Sequence, residues 1–218
     1  MSTFRLVLVP GIITAAVTLL RLTGELNEWS RTFFNPEAGG GLALVGIAWL
    51  VPVFGIYFAL KLYPTGETAS GWTTLGFGAL GVVSFFAVFF VATTVLGIDP
   101  NQPTLAALGA SLVASLVALS VAYYGSKALG KALLAYGLAA RVPVLVVMLL
   151  AILGKWGTHY DALPPGAVLE AGPWTTWFLI GVGPQLGFWM AFTVAVGVLF
   201  GGFALVVAER RQAAVREA

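Results

Sequence analysis

The sequence contains no cysteine and a single histidine, and these absences exclude several kinds of site. Without cysteine there are no disulfides, thiolate metal sites, iron–sulfur ligands or cysteine nucleophiles. One histidine, His159, excludes bis-histidine haem ligation and multi-histidine metal clusters built from this chain alone. We therefore predict no metal and no other cofactor.

Charged residues are also scarce. They make up 9% of the 218 residues, whereas 59% are hydrophobic, and a soluble domain has about 25% charged residues. The formal net charge is only +2, and no basic run precedes the C-terminal "ERRQAAVRE", so nucleic acid is not a predicted partner. Since a soluble fold cannot hide so much apolar surface, the composition predicts an integral membrane protein with lipids around it.

The apolar runs have the length of transmembrane helices rather than strands. They exceed about 18 residues with few charges, whereas a membrane-spanning strand needs only about 10 residues of alternating character. The sequence predicts an all-α bundle, a single transmembrane helical domain over 1–218. Its six spans lie at about 4–22, 41–62, 73–98, 105–124, 132–154 and 177–207.

The distribution of lysine and arginine predicts the orientation of these spans. Cytoplasmic loops are enriched in both residues, and the best separation is obtained when both termini are cytoplasmic. Only Arg31 and Lys155 then lie clearly outside, with Arg21 near that boundary. We predict a multi-pass protein of the cell (inner) membrane. Its two long outer loops, 24–41 and 154–174, hold most of the acidic residues.

Two parts of the chain resemble each other. "PVFGIYFAL" (52–60) aligns with "PQLGFWMAF" (184–192), and the preceding spans share a Val-Pro pair at nearly the same offset. The alternatives are chance similarity and a parallel repeat of hairpins 1–2 and 5–6. The repeat predicts helix bends at Pro52, Gly55, Pro184 and Gly187.

Arg141 lies within the fifth predicted span and has two interpretations. In a span over 132–154 it lies about 14 Å deep at about 1.5 Å per residue, with no intramembrane acid as partner, and would need an anionic headgroup or substrate. Alternatively, residues 126–141 form a separate interfacial helix whose Lys127, Lys131 and Arg141 meet lipid phosphate. The second interpretation, in which Arg141 marks a boundary, is the one the sequence favours.

Few other residues suggest chemistry. Gln185 follows Pro184, where a backbone carbonyl loses its partner, and is a candidate ligand contact. His159 and Asp161 are weak catalytic candidates as an acid–base pair. Glu25 and Glu28, on the other outer loop, would complete such a site only if the two loops meet. Known catalytic fingerprints are absent from the sequence.

These observations favour transport of a small solute, an ion or a lipid, with no catalytic constellation. The first alternative is an accessory or scaffold subunit of a larger membrane complex, and the second is an intramembrane enzyme that modifies lipid. A second copy of the chain and a partner membrane subunit both remain open as partners. A polar cavity beside Gln185 or Arg141 would favour transport over a fully packed bundle.

Overall fold

The computed structural model describes residues 2–217, and every regular element in that range is a helix. Ser2, Ser70 and Thr104 cap three of the helices by accepting a backbone hydrogen bond from the first turn. π-Helical turns extend α3 to Val95 and join α6 to α7. The helices in chain order are α1 (Thr3–Leu26), α2 (Leu50–Leu62), α3 (Gly71–Phe90), α4 (Leu105–Gly125), α5 (Lys127–Gly154), α6 (Pro173–Thr176), α7 (Gly183–Leu186) and α8 (Phe188–Glu217).

The all-helical class predicted from the sequence is confirmed for residues 2–217, but the number of long helices differs. Five helical stretches are long and apolar enough to cross a membrane, which indicates a multi-pass membrane protein. They are Thr3–Leu26, Gly71–Val95, Leu105–Gly125, Lys127–Gly154 and Pro173–Glu217. The sixth apolar helix, α2, has 13 residues, about 20 Å at 1.5 Å per residue, and is shorter than a hydrocarbon core of about 30 Å.

The predicted span 41–62 is wrong in its first part, because residues 41–49 are not helical. Gly39, Gly40, Gly41 and Leu42 all have positive φ angles, a conformation that ends any helix. The irregular segment exposes carbonyl groups that a helix would satisfy internally. The side chain of Arg21 binds one of them, that of Val45, and also the carbonyls of Asn35 and Gly40 just before the segment.

The separate interfacial helix 126–141 is also wrong. α5 is one continuous helix from Lys127 to Gly154 and contains both Arg141 and Pro143. Ser126, with φ −159° and ψ 96°, is the single residue that divides α4 from α5. Lys127 and Lys131 are exposed at the start of α5, whereas Arg141 is buried near its middle.

The backbone of the last long helical stretch is interrupted at Gly187, where φ is −92° and ψ is −94°. Pro184 lies one residue inside α7, and Gly187 separates α7 from α8. By contrast, α2 is one continuous helix through Pro52 and Gly55, and the bends there stay a prediction. Gly55 serves packing, because a Cβ atom at this position would lie 2.5 Å from the carbonyl oxygen of Gly197 on α8.

α8 lies at the centre of the bundle and packs against α2, α3, α4 and α5. One cluster of buried side chains, which includes Phe58, Leu133, Tyr136 and Val198, joins α1, α2, α4, α5 and α8. α1 packs mainly on α5. The helices that a parallel repeat would make equivalent, α1 with α5 and α2 with α8, are therefore neighbours, and the repeat itself stays a prediction.

Candidate functional site

A cavity of about 640 Å³ extends from one end of the bundle to the middle of α5. Its mouth is lined by residues of three loops, among them Leu42, Gln102 and Pro164. Its inner part is lined by Arg141 on α5 and by Gln185 and Trp189 on either side of the Gly187 break. The interruption between α7 and α8 therefore lies beside the inner part of the cavity.

Arg141 is buried, with 2% of its surface exposed, and its polar contacts are weak. Its terminal nitrogens lie 3.4 Å from Gln185 Oε1 and 3.5 Å from Thr193 Oγ1, beyond the usual range of about 2.7–3.2 Å for such hydrogen bonds. Its Nε is buried without a partner in the part of the chain that the structure describes. The guanidinium also lies 4.9 Å from the centroid of the Trp189 ring.

The burial of Arg141 contradicts the favoured prediction that this residue marks a helix boundary at lipid phosphate. The prediction failed because Pro143 does not end the helix, so α5 carries Arg141 into the bundle, where it faces α8. Between residues 2 and 217, no acidic side chain forms an ion pair with Arg141. Within that range, the hydrogen-bonding and cation–π contacts of this cation are to an amide, a hydroxyl and an aromatic ring.

A second buried arginine, Arg21 on α1, lies closer to the mouth of the cavity, and all three of its guanidinium nitrogens donate hydrogen bonds. Its Nε donates to Glu25 Oε1 at 2.8 Å. Its terminal nitrogens donate to the carbonyl oxygens of Val45 at 2.9 Å and of Asn35 and Gly40 at 3.0 Å. Arg21 thereby supplies hydrogen bonds to three backbone carbonyl groups between α1 and α2. A Cβ at Gly40, where φ is +81°, would lie 2.5 Å from this guanidinium.

Glu25 joins the end of α1 to the loop that follows α5. Its carboxylate lies 2.6 and 2.8 Å from His159 Nδ1 and accepts the backbone N–H of His159 at 2.9 Å. Burial lowers the pKa of His159, and the hydrogen bond to Glu25 opposes this shift without cancelling it. A neutral imidazole that donates from Nδ1 to Glu25 fits this arrangement.

The other members of the predicted acid–base site lie apart from this pair. Asp161 accepts hydrogen bonds from the backbone of Gly157 and Thr158 and from the Thr158 hydroxyl, and therefore shapes its own turn. Glu28 is exposed and has a positive φ of 52°. Tyr160 donates to the Thr18 carbonyl at 3.2 Å, which ties the second loop to α1. Of the four residues, the structure joins Glu25 and His159 only.

Sequence reasoning missed several residues around the cavity. Arg21 is one of them, although its (i, i+4) spacing from Glu25 predicts a helical ion pair. Nothing in the sequence indicates that Trp189 and Thr193 face Arg141, because that depends on how α8 packs on α5.

Comparisons with protein-family models, curated proteins and solved structures find no match to this chain. The chemistry of the cavity therefore has to indicate the function.

Proposed function

We propose that this protein is a multi-pass membrane transporter that takes a small or amphipathic solute into the cavity. The observation that supports this most is the cavity itself, which extends from three loops to a buried arginine. Its volume of about 640 Å³ falls in the range of about 300–1,000 Å³ that is typical of small-molecule sites. A subunit that only held partners would need no such cavity.

The interrupted helix at Gly187 supports the same proposal. Transporters commonly place their sites beside discontinuous helices, whose irregular backbone is tolerated because it lines a cavity. Gln185 lies on one side of the interruption, and Trp189 and Thr193 lie on the other. Arg141 contacts all three side chains, so a solute that binds Arg141 would act on both helical pieces.

The proposal includes an orientation in the cell (inner) membrane, with both termini cytoplasmic. The argument is the lysine and arginine distribution, which leaves Arg31 and Lys155 as the clear cations of the outer loops. In this orientation the cavity opens to the outer side, since its mouth is formed by the predicted outer loops.

The absence of cysteine makes access to the cavity simple to test. Ser111 on α4 lines the cavity. Because a transporter exposes its site to each side in turn, we expect Ser111→Cys to react with a membrane-impermeant thiol reagent in right-side-out and in inverted membrane vesicles. The measurement is the rate of labelling in the two preparations.

Ala118→Cys is the matched control, because Ala118 lies on the same helix with 1% of its surface exposed. We expect it to stay unlabelled in both preparations. Labelling of Ser111→Cys from one face only would contradict transport and favour a receptor or subunit. Labelling from neither face would contradict an accessible cavity altogether.

The contact between Glu25 and His159 favours a second candidate function, an enzyme that acts on membrane lipid. With Nδ1 held by Glu25, His159 would offer Nε2 as the base that takes a proton from an attacking water. His159 lines the same cavity. The test is release of fatty acid from phosphatidylglycerol vesicles by the purified protein. This candidate requires activity that His159→Ala abolishes, and equal release by both forms would exclude it.

A further inference from the structure

We infer that the ligand of this cavity is a singly charged oxyanion on an apolar body, such as a carboxylate amphiphile, bound with its anionic end at Arg141. This inference rests on the proposed function, because it names the class of solute for the same cavity. It follows from three observations: the unsatisfied charge of Arg141, the composition of the cavity wall, and the hydrophobic rim of the cavity.

Arg141 lacks the partners that a buried guanidinium normally has. A guanidinium carries five N–H donors, and its preferred partner is the planar, bidentate oxygen pair of a carboxylate or phosphate. Here two donors have long contacts to neutral oxygens, and the buried Nε has no partner within residues 2–217. An oxyanion in the cavity would supply the missing acceptors and the missing charge together.

The cavity wall disfavours a positively charged ligand. Arg21 and His159 line it in addition to Arg141, whereas none of the lining residues described is an Asp or a Glu. Four of the five N–H donors of Arg21 already have acceptors at 2.8–3.0 Å. Arg141 is therefore the cation with donors free to bind a ligand. Its single positive charge can neutralise one negative charge.

The remaining wall is suited to an apolar body. Phe85 and Phe89 of α3, Leu108 of α4, and Ile180 and Phe188 of the last helical stretch line the cavity. Burying an apolar chain against such side chains is favourable in proportion to the area removed from water. A small inorganic anion would leave this surface uncovered.

Part of the rim of the cavity consists of exposed hydrophobic side chains. Leu42, Trp49 and Phe86 line it with exposed fractions of 93%, 61% and 64%. A solute with an apolar chain can rest on these side chains before it enters, whereas a fully polar solute gains nothing from them. The rim and the wall therefore favour an amphiphile over a hydrophilic anion.

The experiment compares ligands of matched chain length on the full-length protein in phosphatidylcholine nanodiscs. Decanoate, decanol and decyltrimethylammonium are titrated below their aggregation concentrations, and binding is measured by calorimetry. We expect decanoate to bind about tenfold or more tightly than decanol, because the buried charge pair forms only with the carboxylate. Decyltrimethylammonium should bind more weakly than decanol.

Arg141→Gln should lower the affinity for decanoate about tenfold or more while leaving decanol unchanged. Arg141→Lys should retain part of the preference for decanoate over decanol. Lysine keeps the positive charge but lacks the bidentate hydrogen bonding of a guanidinium. Arg31→Gln, on an exposed loop side chain, is the matched control and should bind like the wild type. Thermal unfolding of each variant shows that it is folded, and the ligand comparison on the wild type needs no variant.

Two further arms identify the source of the oxyanion. Nanodiscs with phosphatidylglycerol should weaken decanoate binding by competition if a membrane lipid supplies the headgroup, and inorganic phosphate should compete only if the apolar body is dispensable. Three results would overturn the inference. Decanoate binds no more tightly than decanol, decanoate does not bind at all, or Arg141→Gln binds decanoate as tightly as the wild type does. The transport proposal is judged separately by the labelling of Ser111→Cys.

Discussion

The molecule buries two arginines in one cavity and treats them in opposite ways. Arg21 has an ion pair with Glu25 and three backbone carbonyls as acceptors, all within 3.0 Å. Arg141 has two neutral acceptors at 3.4 and 3.5 Å and a buried nitrogen without a partner among the described residues. The difference lies in the number of acceptors, since both side chains are buried.

A structural buried charge differs from one available for binding in how many of its donors the chain itself satisfies. Removing a charge from water costs several kcal/mol, which only good geometry and further hydrogen bonds repay. Arg21 has these within the chain and holds together the irregular segment before α2. Arg141 lacks them and gains only weak contacts and the Trp189 ring. A charge with unmet donors beside a cavity is the one that a ligand can complete.

The largest expected effect is the loss of Arg21. Arg21→Met leaves Glu25 with only His159 and frees the carbonyls of Asn35, Gly40 and Val45, so we expect the free energy of unfolding to fall by about 3–5 kcal/mol. The measurement is the midpoint of unfolding in a dodecyl sulfate titration of mixed micelles.

Arg31→Gln is the control for that variant, because Arg31 pairs with Glu37 at 4.0 Å and both side chains are exposed. It should change stability by about 1 kcal/mol or less. A loss in Arg21→Met no larger than the loss in Arg31→Gln would contradict a structural role for Arg21.

The next effect has the opposite sign. Arg141→Met removes a poorly bonded buried charge and keeps an apolar side chain that can fill its place, so we expect stability to stay equal or to rise by about 1–2 kcal/mol. The same titration measures it. A loss as large as that of Arg21→Met would mean that Arg141 is structural too. The two arginines would then not differ in role.

A smaller effect concerns pH. Because burial lowers the pKa of His159 in the folded protein, the unfolded chain binds a proton that the folded chain does not once the pH falls below about 6.5. Stability from this group is complete above that pH. Below it, the free energy of unfolding should fall by up to about 1.4 kcal/mol per pH unit, until the pKa of the folded state is reached.

His159→Asn is the control for pH, since its amide can still donate to Glu25 and does not titrate. His159 is the only histidine of the chain, so the variant should lose the pH dependence between about pH 5 and 6.5. Stability that increases on acidification would indicate instead that a protonated His159 pairs with Glu25 in the folded state.

The helical class and most helix positions could be predicted from the sequence. The third and fourth predicted spans, 73–98 and 105–124, lie close to the observed Gly71–Val95 and Leu105–Gly125. They succeed because long apolar runs follow capping residues, Ser70 and Thr104, and both signals are local.

The failures occur where distant groups compensate for a local cost. Residues 41–49 are apolar enough for a span, but their backbone is irregular: φ is positive at Gly41 and Leu42, and Arg21 binds the carbonyl of Val45. Hydropathy describes composition and not backbone conformation. Arg141 looked too costly inside a helix because the aromatic ring and the cavity that receive it come from another part of the chain.

The contact between Glu25 and His159 also has a consequence for biosynthesis. The two residues are 134 positions apart, so at about 5–20 residues per second the ribosome needs about 7–27 s to supply the partner of Glu25. During that interval Arg21, one turn away on the same helix, is the cation that can neutralise the carboxylate. The ion pair within α1 can therefore form before most of the chain has been made, and His159 adds its contact with Glu25 only when the segment after α5 has been synthesised.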